Sequence, residues 1–337
     1  MARGRSSPMY KSALAGTGSY LPSRVVANGE LEPFLETSDD WIRSRTGIGA
    51  RRIAAEDETT SDMAAIASRR ALEAAGVDAS EIDLCIVGTF TGDTPLPACA
   101  SHLAPKIGLR PGVPAFDIAA ACAGFLFALD VADRFIRTGG AQRVLVVGAE
   151  LLSRVVDWSD RTTAVLFGDG AGAAVIERVD ESDPRSIGPI RLHTDGTHAN
   201  AIAIPVGGTR EPVTARSIAE SRNKMQMVGK DVFKASLGHL GNVTKATLAE
   251  AGLAASDIDW FVPHQANIRI LESVAESLGV SMDRFVLTLE ELGNTSSASI
   301  PIALDRGIRD GRIKKGDTTF LFALGAGLSF GAGVLRV

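Results

Sequence analysis

The sequence predicts an α/β fold in which two duplicated halves pack into five layers, α/β/α/β/α. The first observation behind this prediction is that apolar strands alternate with amphipathic helices. Residues 61–76 have the spacing of a helix with one apolar face, and residues 84–89 and 143–150 have the pattern of buried strands. Strands that are apolar along their whole length indicate sheets covered by helices on both faces.

The second observation is an internal repeat. Residues 71–89 align without gaps on residues 247–265, and seven of the nineteen positions are identical. Both segments have the pattern of a helix that ends at a glycine, then a short turn and a buried strand. Two further pairs keep nearly the same offset, namely the strands 144–147 and 320–323 and the tripeptides ALD at 128–130 and 303–305.

A nearly constant offset predicts duplicated halves whose boundary lies in the irregular, polar stretch 180–215. We therefore expect a disordered leader at 1–9, an N-terminal half at 10–180, a connecting segment at 181–215 and a C-terminal half at 216–337. The basic start of the chain is not followed by the apolar stretch of a signal peptide.

Composition excludes several classes of protein. The 337-residue chain has a net charge of −5, without the basic surplus that favours nucleic acid. No run of 18 or more apolar residues occurs, so no membrane-spanning helix is predicted. Cys85, Cys99 and Cys122 are far apart and form no CxxC pair, which argues against a disulfide framework or a zinc site. The pattern fits a reducing, cytoplasmic compartment.

Cys122 stands in the stretch "FDIAAACAGFLFALD" among small apolar residues. A free cysteine is usually a small buried hydrophobe, so residue type alone favours a filler. However, residues 113–120 predict a strand and the following residues a helix, which places Cys122 in the first helical turn. Free N–H groups and the helix dipole there favour a thiolate and lower a cysteine pKa. The repeat, at an offset of 176, places Ala298 opposite Cys122.

Two polar motifs follow in the second half. His264 ends the strand of "DWFVPHQAN", and Asn294 lies in the loop "ELGNTSSAS". Taken alone, such a histidine is most often structural and such an asparagine a cap or turn residue. Together with Cys122 they supply a thiolate, an imidazole Nε2–H and an amide N–H. That set suits nucleophilic acyl transfer followed by stabilisation of an enolate oxygen.

Five motifs then carry a family resemblance. They are "TSDDWIRSRTGIGARR" (37–52), "AACAGF" (120–125), "FGDGAGAAV" (167–175), "PHQANIRI" (263–270) and "GNTSSAS" (293–299). From about residue 10 to its end, the chain resembles the β-ketoacyl-acyl-carrier-protein synthase III family of the thiolase superfamily. The resemblance implies a thiolase-like duplicated five-layered fold, in agreement with the repeat.

The resemblance also implies a mechanism with a Cys122–His264–Asn294 triad. Cys122 would take an acyl group from acyl-CoA as a thioester. His264 and Asn294 would hold the thioester oxygen of malonyl-acyl-carrier protein while CO₂ leaves, and the carbanion would attack the acyl-Cys122 carbonyl. The N–H of Cys122 and one from residues 325–327 would hold the oxyanion. The enzyme would be an acyltransferase that starts fatty-acid synthesis and needs no cofactor.

The same resemblance implies contacts with both substrates and with a second subunit. Residues matched to the CoA nucleotide are Trp41, Arg45 and Arg161. Residues matched to the pantetheine tunnel are Gly229, Phe233 and Asn267. Lys234 and Arg269 match basic residues that meet the carrier protein. A homodimer is expected, because in this family the loop that carries Leu96 reaches into the partner's acyl pocket.

Three departures from the family pattern bear on specificity. Ala326 replaces the middle glycine of the closing turn, which puts the oxyanion geometry in question. Leu96 stands where relatives often have phenylalanine, so a starter longer or more branched than acetyl is a hypothesis. Glu272 and Glu276 stand near the tunnel mouth, where some relatives place lysines for an acidic carrier.

Competing functions make different demands on the residues. The nearest alternative is a related condensing enzyme or acyltransferase of secondary metabolism that uses a non-acetyl starter. A thiolase proper would need a second catalytic cysteine in residues 250–337, which contain none. A reaction of the HMG-CoA synthase type would need an acid–base group near the nucleophile, but Ala120 and Ala121 precede Cys122. A non-catalytic partner subunit would have lost Cys122.

Overall fold

The computed structural model describes residues 10–337, with the side chains of residues 230–237 outside the description. The leader expected at 1–9 therefore lies outside the described residues. The elements up to the end of the first sheet are β1 (Lys11–Tyr20), β2 (Arg24–Ala27), α1 (Asp39–Thr46), β3 (Ala50–Ile53), α2 (Thr60–Ala75), β4 (Leu84–Gly88), α3 (Cys99–Ile107), β5 (Ala115–Ile118), α4 (Gly124–Arg137), β6 (Arg143–Glu150), α5 (Arg161–Ala164) and β7 (Gly170–Val179).

The rest of the chain contributes a second set of helices and strands. They are β8 (Ser186–Thr194), β9 (Ile202–Ala203), α6 (Ala215–Ala219), β10 (Gln226–Met227), α7 (Gly229–Ala251), β11 (Trp260–Pro263), α8 (Ile268–Leu278), α9 (Leu289–Leu292), α10 (Ser299–Arg309), β12 (Thr318–Gly325) and β13 (Ser329–Arg336). Among the described residues, no helix combines the length and apolarity needed to cross a membrane.

Two mixed sheets form the body of the protein. The first has the strand order β1-β7-β6-β4-β5, and the second has the order β8-β13-β12-β11. The first four strands of each sheet correspond in order and in direction: β6 and β4 are parallel, as are β12 and β11, and the other pairs are antiparallel. An offset of 175 residues separates the starts of β1 and β8 and the starts of β6 and β12. The predicted duplication is confirmed.

The helices complete five layers. Helices α2 and α3 cover the outer face of the first sheet, and α7 and α8 cover the outer face of the second. Helices α4 and α10 lie between the sheets, where each contacts strands of both halves. The largest apolar cluster fills this central layer, and the buried faces of both helices are mostly apolar, with Asp130, Asp133 and Asp305 as the buried charged residues. The predicted α/β/α/β/α order is confirmed.

The repeated helix–turn–strand units have a common local cause. Helix α2 ends at Gly76 (φ 65°) and helix α7 at Gly252 (φ 68°). Both glycines adopt the left-handed conformation that closes a helix C-terminus and that a side chain disfavours. A short 3₁₀ turn then leads each chain into a buried strand, β4 or β11.

The expected boundary of the second half is wrong. Residues 181–215 were expected to connect the halves, yet they contain β8, which pairs with β13 at the edge of the second sheet. The second half therefore starts before residue 216. Its first strand was missed because it is only partly buried and includes Pro189, Arg191 and His193, which weaken the alternating apolar pattern.

The residue opposite Cys122 also differs from the expectation. The 3₁₀ turn Ala121–Ala123 before α4 corresponds to the turn Ser296–Ala298 before α10, and the first residue of each has a positive φ. The offset here is 175, not 176. The counterpart of Cys122 is therefore Ser297 and not Ala298, because the repeat loses one residue between the strand β11 and this turn.

Candidate active site

A cavity of about 560 Å³ lies between the two halves. Cys122 comes from the first half and His264 and Asn294 from the second, and all three side chains line the cavity. The repeat explains this convergence, since equivalent turns of the two halves meet in the central layer. Its walls are mainly apolar, from residues that include Phe90, Ile202, Ile204, Met225 and Phe167.

Cys122 occupies the middle of the Ala121–Ala123 turn, just before α4 begins at Gly124. Its thiol opens into the cavity and so keeps partial exposure, while protein atoms crowd it on the other sides. Desolvation is the main cause that raises the pKa of Cys122 to about 12; the Ser296 side chain lowers this pKa and the negative charge of Glu150 raises it. The expectation of a low pKa at the helix start is therefore wrong, because the desolvation of the thiol outweighs its position at the helix start.

The backbone around Cys122 requires glycine at position 325. A Cβ on Gly325 would lie 2.9 Å from the Cys122 nitrogen and 2.8 Å from the Ala120 oxygen, closer than atoms pack. The neighbouring Ala326 lines the cavity, and the positive φ in this turn falls on Gly327 (71°) and Leu328 (47°). Ala326 therefore sits where a side chain is tolerated, which removes the conflict expected from its Cβ.

His264 follows β11 directly, and its backbone N–H donates to the Phe322 carbonyl at 2.8 Å. Its Nδ1 lies 2.6 Å from the hydroxyl of Ser299, which leaves Nε2 as the ring nitrogen on the cavity side. Burial lowers the pKa of His264 to about 3, so the ring is neutral at physiological pH. The neutral imidazole expected from the sequence is present.

Asn294 is held by three hydrogen bonds. Its backbone N–H donates to the Leu166 carbonyl at 2.8 Å, and its own carbonyl accepts from Gly168 at 3.0 Å. Its side-chain oxygen accepts from the backbone N–H of Ser296 at 2.8 Å. This bond identifies the amide oxygen and leaves the Nδ2 group as the donor available to the cavity.

Six of the predicted substrate-binding residues line the cavity: Trp41, Arg45, Arg161, Gly229, Asn267 and Ala326. At the exposed end of the cavity, the guanidinium carbon of Arg161 lies 4.8 Å from the centre of the Trp41 ring. Asn267 also caps α8, since its side-chain oxygen accepts from the N–H of Arg269 at 2.9 Å and its amide donates to the Arg45 carbonyl at 3.1 Å.

Other predicted residues lie elsewhere. Leu96 is 86% exposed and does not line the cavity of its own chain. Arg269 is exposed beside the cavity wall, where its guanidinium donates to the Ser44 carbonyl at 2.8 Å. Phe233 and Lys234 fall among the side chains outside the description.

Sequence reasoning missed a buried carboxyl group next to the triad. Glu150 ends β6 and is fully buried. A search restricted to the residues beside Cys122 in the sequence could not find it. The signal that could have done so is a glutamate at the end of the otherwise apolar strand "RVLVVGAE", since buried charged residues are rare unless they are paired or have a function.

The fold and the cavity define a thiolase-fold acyltransferase of the condensing type. Family models described as 3-oxoacyl-[acyl-carrier-protein (ACP)] synthase III and its C-terminal part match residues 116–196 and 248–337. Beta-ketoacyl-[acyl-carrier-protein] synthase III of Xanthomonas campestris pv. campestris is 48% identical over 328 residues, covering 96% of this chain and 98% of the relative. That of Methylococcus capsulatus is 48% identical over 325 residues, covering 96% and 98%.

Solved structures agree. 3-Oxoacyl-[acyl-carrier-protein] synthase III from Aquifex aeolicus has a TM-score of 0.89 at 40% identity and covers 97% of this chain and 100% of that one. The priming β-ketosynthase of the R1128 polyketide pathway has a TM-score of 0.90 at 38% identity, covering 99% and 98%. The chain belongs to the β-ketoacyl-acyl-carrier-protein synthase III family.

Proposed function

We propose that this chain condenses an acyl-CoA starter with malonyl-acyl-carrier protein, through an acyl thioester on Cys122, and so initiates fatty-acid synthesis. The observation that carries the proposal is the convergence of Cys122, His264 and Asn294 on one cavity. A nucleophile and two uncharged hydrogen-bond donors are what the two half-reactions need. The family assignment favours this reaction over a role in secondary metabolism.

In the first half-reaction, Cys122 attacks the thioester carbonyl of acyl-CoA and the CoA thiolate leaves. The developing oxyanion lies against the start of α4, where the Cys122 N–H and the positive end of the helix dipole face it. Gly325 keeps this space open because no Cβ occupies it. Trp41 and Arg161 offer flat faces to the nucleotide of CoA at the exposed end of the cavity.

In the second half-reaction, malonyl-acyl-carrier protein loses CO₂ and the resulting enolate attacks the acyl-Cys122 carbonyl. His264 Nε2–H and Asn294 Nδ2–H hold the enolate oxygen. The Ser299 hydroxyl has one proton and two acceptors within reach, His264 Nδ1 at 2.6 Å and the Ser296 carbonyl at 2.8 Å. The required tautomer of His264 has this proton on the bond to Nδ1, and the Ser296 carbonyl then keeps the backbone N–H of Ser299 as its donor. Neutral donors stabilise the enolate oxygen by hydrogen bonds, whereas a cationic donor would also bind the malonyl carboxylate as an ion pair and oppose the loss of CO₂.

Several finer features belong to the same proposal. The reaction uses acyl-CoA and the carrier protein as substrates and needs no cofactor. Among the described residues, no cluster of metal-ligating side chains occurs. The enzyme acts in the cytoplasm as a homodimer in which the exposed Leu96 contributes to the acyl pocket of the partner subunit. Arg269 and Lys234 contact the carrier protein, with Glu272 and Glu276 opposing them.

Intact-protein mass spectrometry tests the acyl-enzyme directly. The protein is exposed to acetyl-, branched and C6–C8 acyl-CoAs, and the mass gain is localised by peptide mapping. We expect one acyl group on Cys122 and none on the Cys122→Ala variant, with Cys85→Ala as the matched control. Cys85 is buried in the outer cluster and its thiol pKa is raised to about 12. β-Ketoacyl product from Cys122→Ala at the wild-type rate would refute the proposal, and clear preference for acetyl-CoA would refute a long-starter role for Leu96.

A further inference from the structure

Glu150 is a buried carboxyl group whose partners are all uncharged. One carboxylate oxygen accepts from the hydroxyl of Thr89 at 3.2 Å, from the backbone N–H of Phe90 at 3.4 Å and from the hydroxyl of Thr91. The other lies 3.3 Å from the hydroxyls of both Ser296 and Ser297. A fully buried carboxylate held only by neutral groups is costly, so a role beyond packing is expected of it.

Ser296 connects this carboxyl group to the nucleophile. Its hydroxyl donates to Glu150 at 3.3 Å and lowers the pKa of the Cys122 thiol, and Ser296 lines the same cavity as Cys122. Its backbone has a φ of 51°, which is unfavourable for a serine and is the kind of strain found at functional sites. The strained turn therefore places one hydroxyl between a thiol and a carboxylate.

Ser297 provides a built-in contrast. Its hydroxyl is the same distance from Glu150, but it donates to the Gly88 carbonyl at 2.6 Å, and it does not line the cavity. Only Ser296 links Glu150 to Cys122 among these two serines. The Ser296 hydroxyl is thus the group that faces the cavity of the thiol on one side and donates to the buried carboxyl group on the other.

The Cys122 thiol needs such an acceptor. Its pKa is raised to about 12 by burial, so it does not ionise by itself near pH 7. Burial lowers the pKa of His264 to about 3, which makes that imidazole a poor base. Burial raises the pKa of Glu150 to about 7, where a carboxyl group can both accept and return a proton.

We propose that Glu150 accepts the Cys122 proton through the Ser296 hydroxyl when Cys122 is acylated, and that it keeps this proton until condensation returns it. This inference rests on the proposed function. Glu150 and Ser296 act through Cys122 and are positioning residues, because neither bonds to the reacting carbon.

The proton balance closes over one turnover. As the Cys122 S–H bond breaks, an O–H bond forms on Ser296, and the original Ser296 proton moves to the Glu150 carboxylate. The sulfur acylates, and CoA leaves as a thiolate that takes a proton from solvent. After condensation, Cys122 leaves as a thiolate and recovers the stored proton by the reverse path.

The stored proton also serves the intermediate step. While the acyl group is on Cys122, Glu150 is neutral, so no negative charge lies behind the site when the enolate forms. A permanently ionised carboxylate there would repel the enolate. The described titratable groups that feel the charge of Glu150 are Cys122 on the turn before α4 and Cys99 on α3, whose thiol pKa is also raised by burial.

Single-turnover acylation across pH 5–9, quenched and read by intact mass, tests the proposal with Glu150→Gln. We expect the wild-type rate to rise with pH and level off above about pH 7. We expect the variant to be slower by about 10²-fold at pH 7, the lower range for a general base, and to keep rising to pH 9. If Glu150 acted only by its charge, the variant would acylate faster, because a charge that raises the Cys122 pKa would be gone. A rate equal to or above the wild type overturns the proposal.

The variants Ser296→Ala and Ser297→Ala test the same proton path even if Glu150→Gln does not fold. Ser296→Ala should lose about 10²-fold in acylation, whereas Ser297→Ala should acylate within about threefold of the wild type. Equal rates for the two variants overturn the proposal. Decarboxylation of malonyl-acyl-carrier protein should survive in Ser296→Ala, which separates a lost proton path from a collapsed site. If the wild type itself takes no acyl group, the proposed function fails, and that outcome is distinct from either result above.

Discussion

The turns Ala121–Ala123 and Ser296–Ala298 share one backbone conformation and differ almost completely in chemistry. Each is a 3₁₀ turn that begins at a positive φ, 45° at Ala121 and 51° at Ser296, and each leads into a central helix. The first turn surrounds its thiol with alanines. The second carries the hydroxyls of Ser296 and Ser297, which contact Glu150, and it is followed by Ser299, whose hydroxyl contacts His264. The duplication thus explains the shared backbone geometry of the two turns. Their side chains differ, so that one turn carries the nucleophile and the other carries hydroxyl groups.

The same division extends to the strands that end beside these turns. At the offset of 175, Glu150 at the end of β6 corresponds to Gly325 at the end of β12. Each contacts the turn of the opposite half, Glu150 at Ser296 and Gly325 at Cys122. A carboxyl group fills the space in one half, and in the other the missing side chain leaves room for a substrate oxygen.

Substitutions of the second-half donors should slow decarboxylation far more than acylation. This difference is the largest effect expected if the two halves serve different steps of the reaction. We expect His264→Ala and Asn294→Ala to slow decarboxylation of malonyl-acyl-carrier protein by about 10³-fold, since each removes a donor to the enolate oxygen. Acylation of Cys122 should fall by less than about tenfold, because neither donor faces the first oxyanion. Paired assays of CO₂ release and acyl-enzyme mass measure both. Equal losses in the two assays would contradict the division.

A methyl group at position 325 should damage the first half-reaction. Gly325→Ala places a Cβ within 3.0 Å of three backbone atoms of the Cys122 turn, so the turn must move. We expect acylation to fall by about 10²-fold, comparable to the loss of an oxyanion donor. Gly241→Ala in α7 is the matched control, because the contact its Cβ would make is an ordinary 3.7 Å. Unimpaired acylation in Gly325→Ala would show that the space is not used.

The smallest effect concerns stability and pH. Burial raises the pKa of Glu150 from 4.5 to about 7, so the folded state favours the protonated carboxyl. The raised pKa of Glu150 therefore contributes to the free energy of unfolding. This contribution is fully present below about pH 4.5 and is lost as the pH rises through 7. Relative to Glu150→Gln, the wild type should therefore lose up to about 3 kcal/mol of unfolding free energy between pH 5 and 8. Urea unfolding at these pH values measures the difference; parallel curves would place the Glu150 pKa in its ordinary range.

Much of the architecture could be predicted because the repeat constrained both halves at once. The helix-ending Gly76 and Gly252 and the buried strands that follow them are strong local signals. The convergence of Cys122, His264 and Asn294 on one cavity followed from the duplication and from the motif order. Both predictions depend on which segments of the two halves correspond, and an alignment of the sequence with itself reveals that correspondence.

The features that could not be predicted depend on burial and on contacts between distant residues. The high pKa of the Cys122 thiol comes from desolvation, which a helix-start position does not reveal. The link from Glu150 to Ser296 joins residues 146 positions apart. The strand β8 lacks a clear apolar pattern because it lies at a sheet edge and contains polar residues.

That edge strand has a consequence for synthesis of the protein on the ribosome. Thr194 in β8 pairs with Ser329 in β13, which lies 135 residues further along the chain. At about 5–20 residues per second, the native partner of β8 arrives on the order of ten seconds after β8 itself. Pro189 and Arg191 reduce the chance that the waiting edge pairs with another nascent chain, since proline and charge both oppose strand addition. Pro189 and Arg191, which weaken the sequence pattern of β8, thus also protect this strand from aberrant pairing during translation.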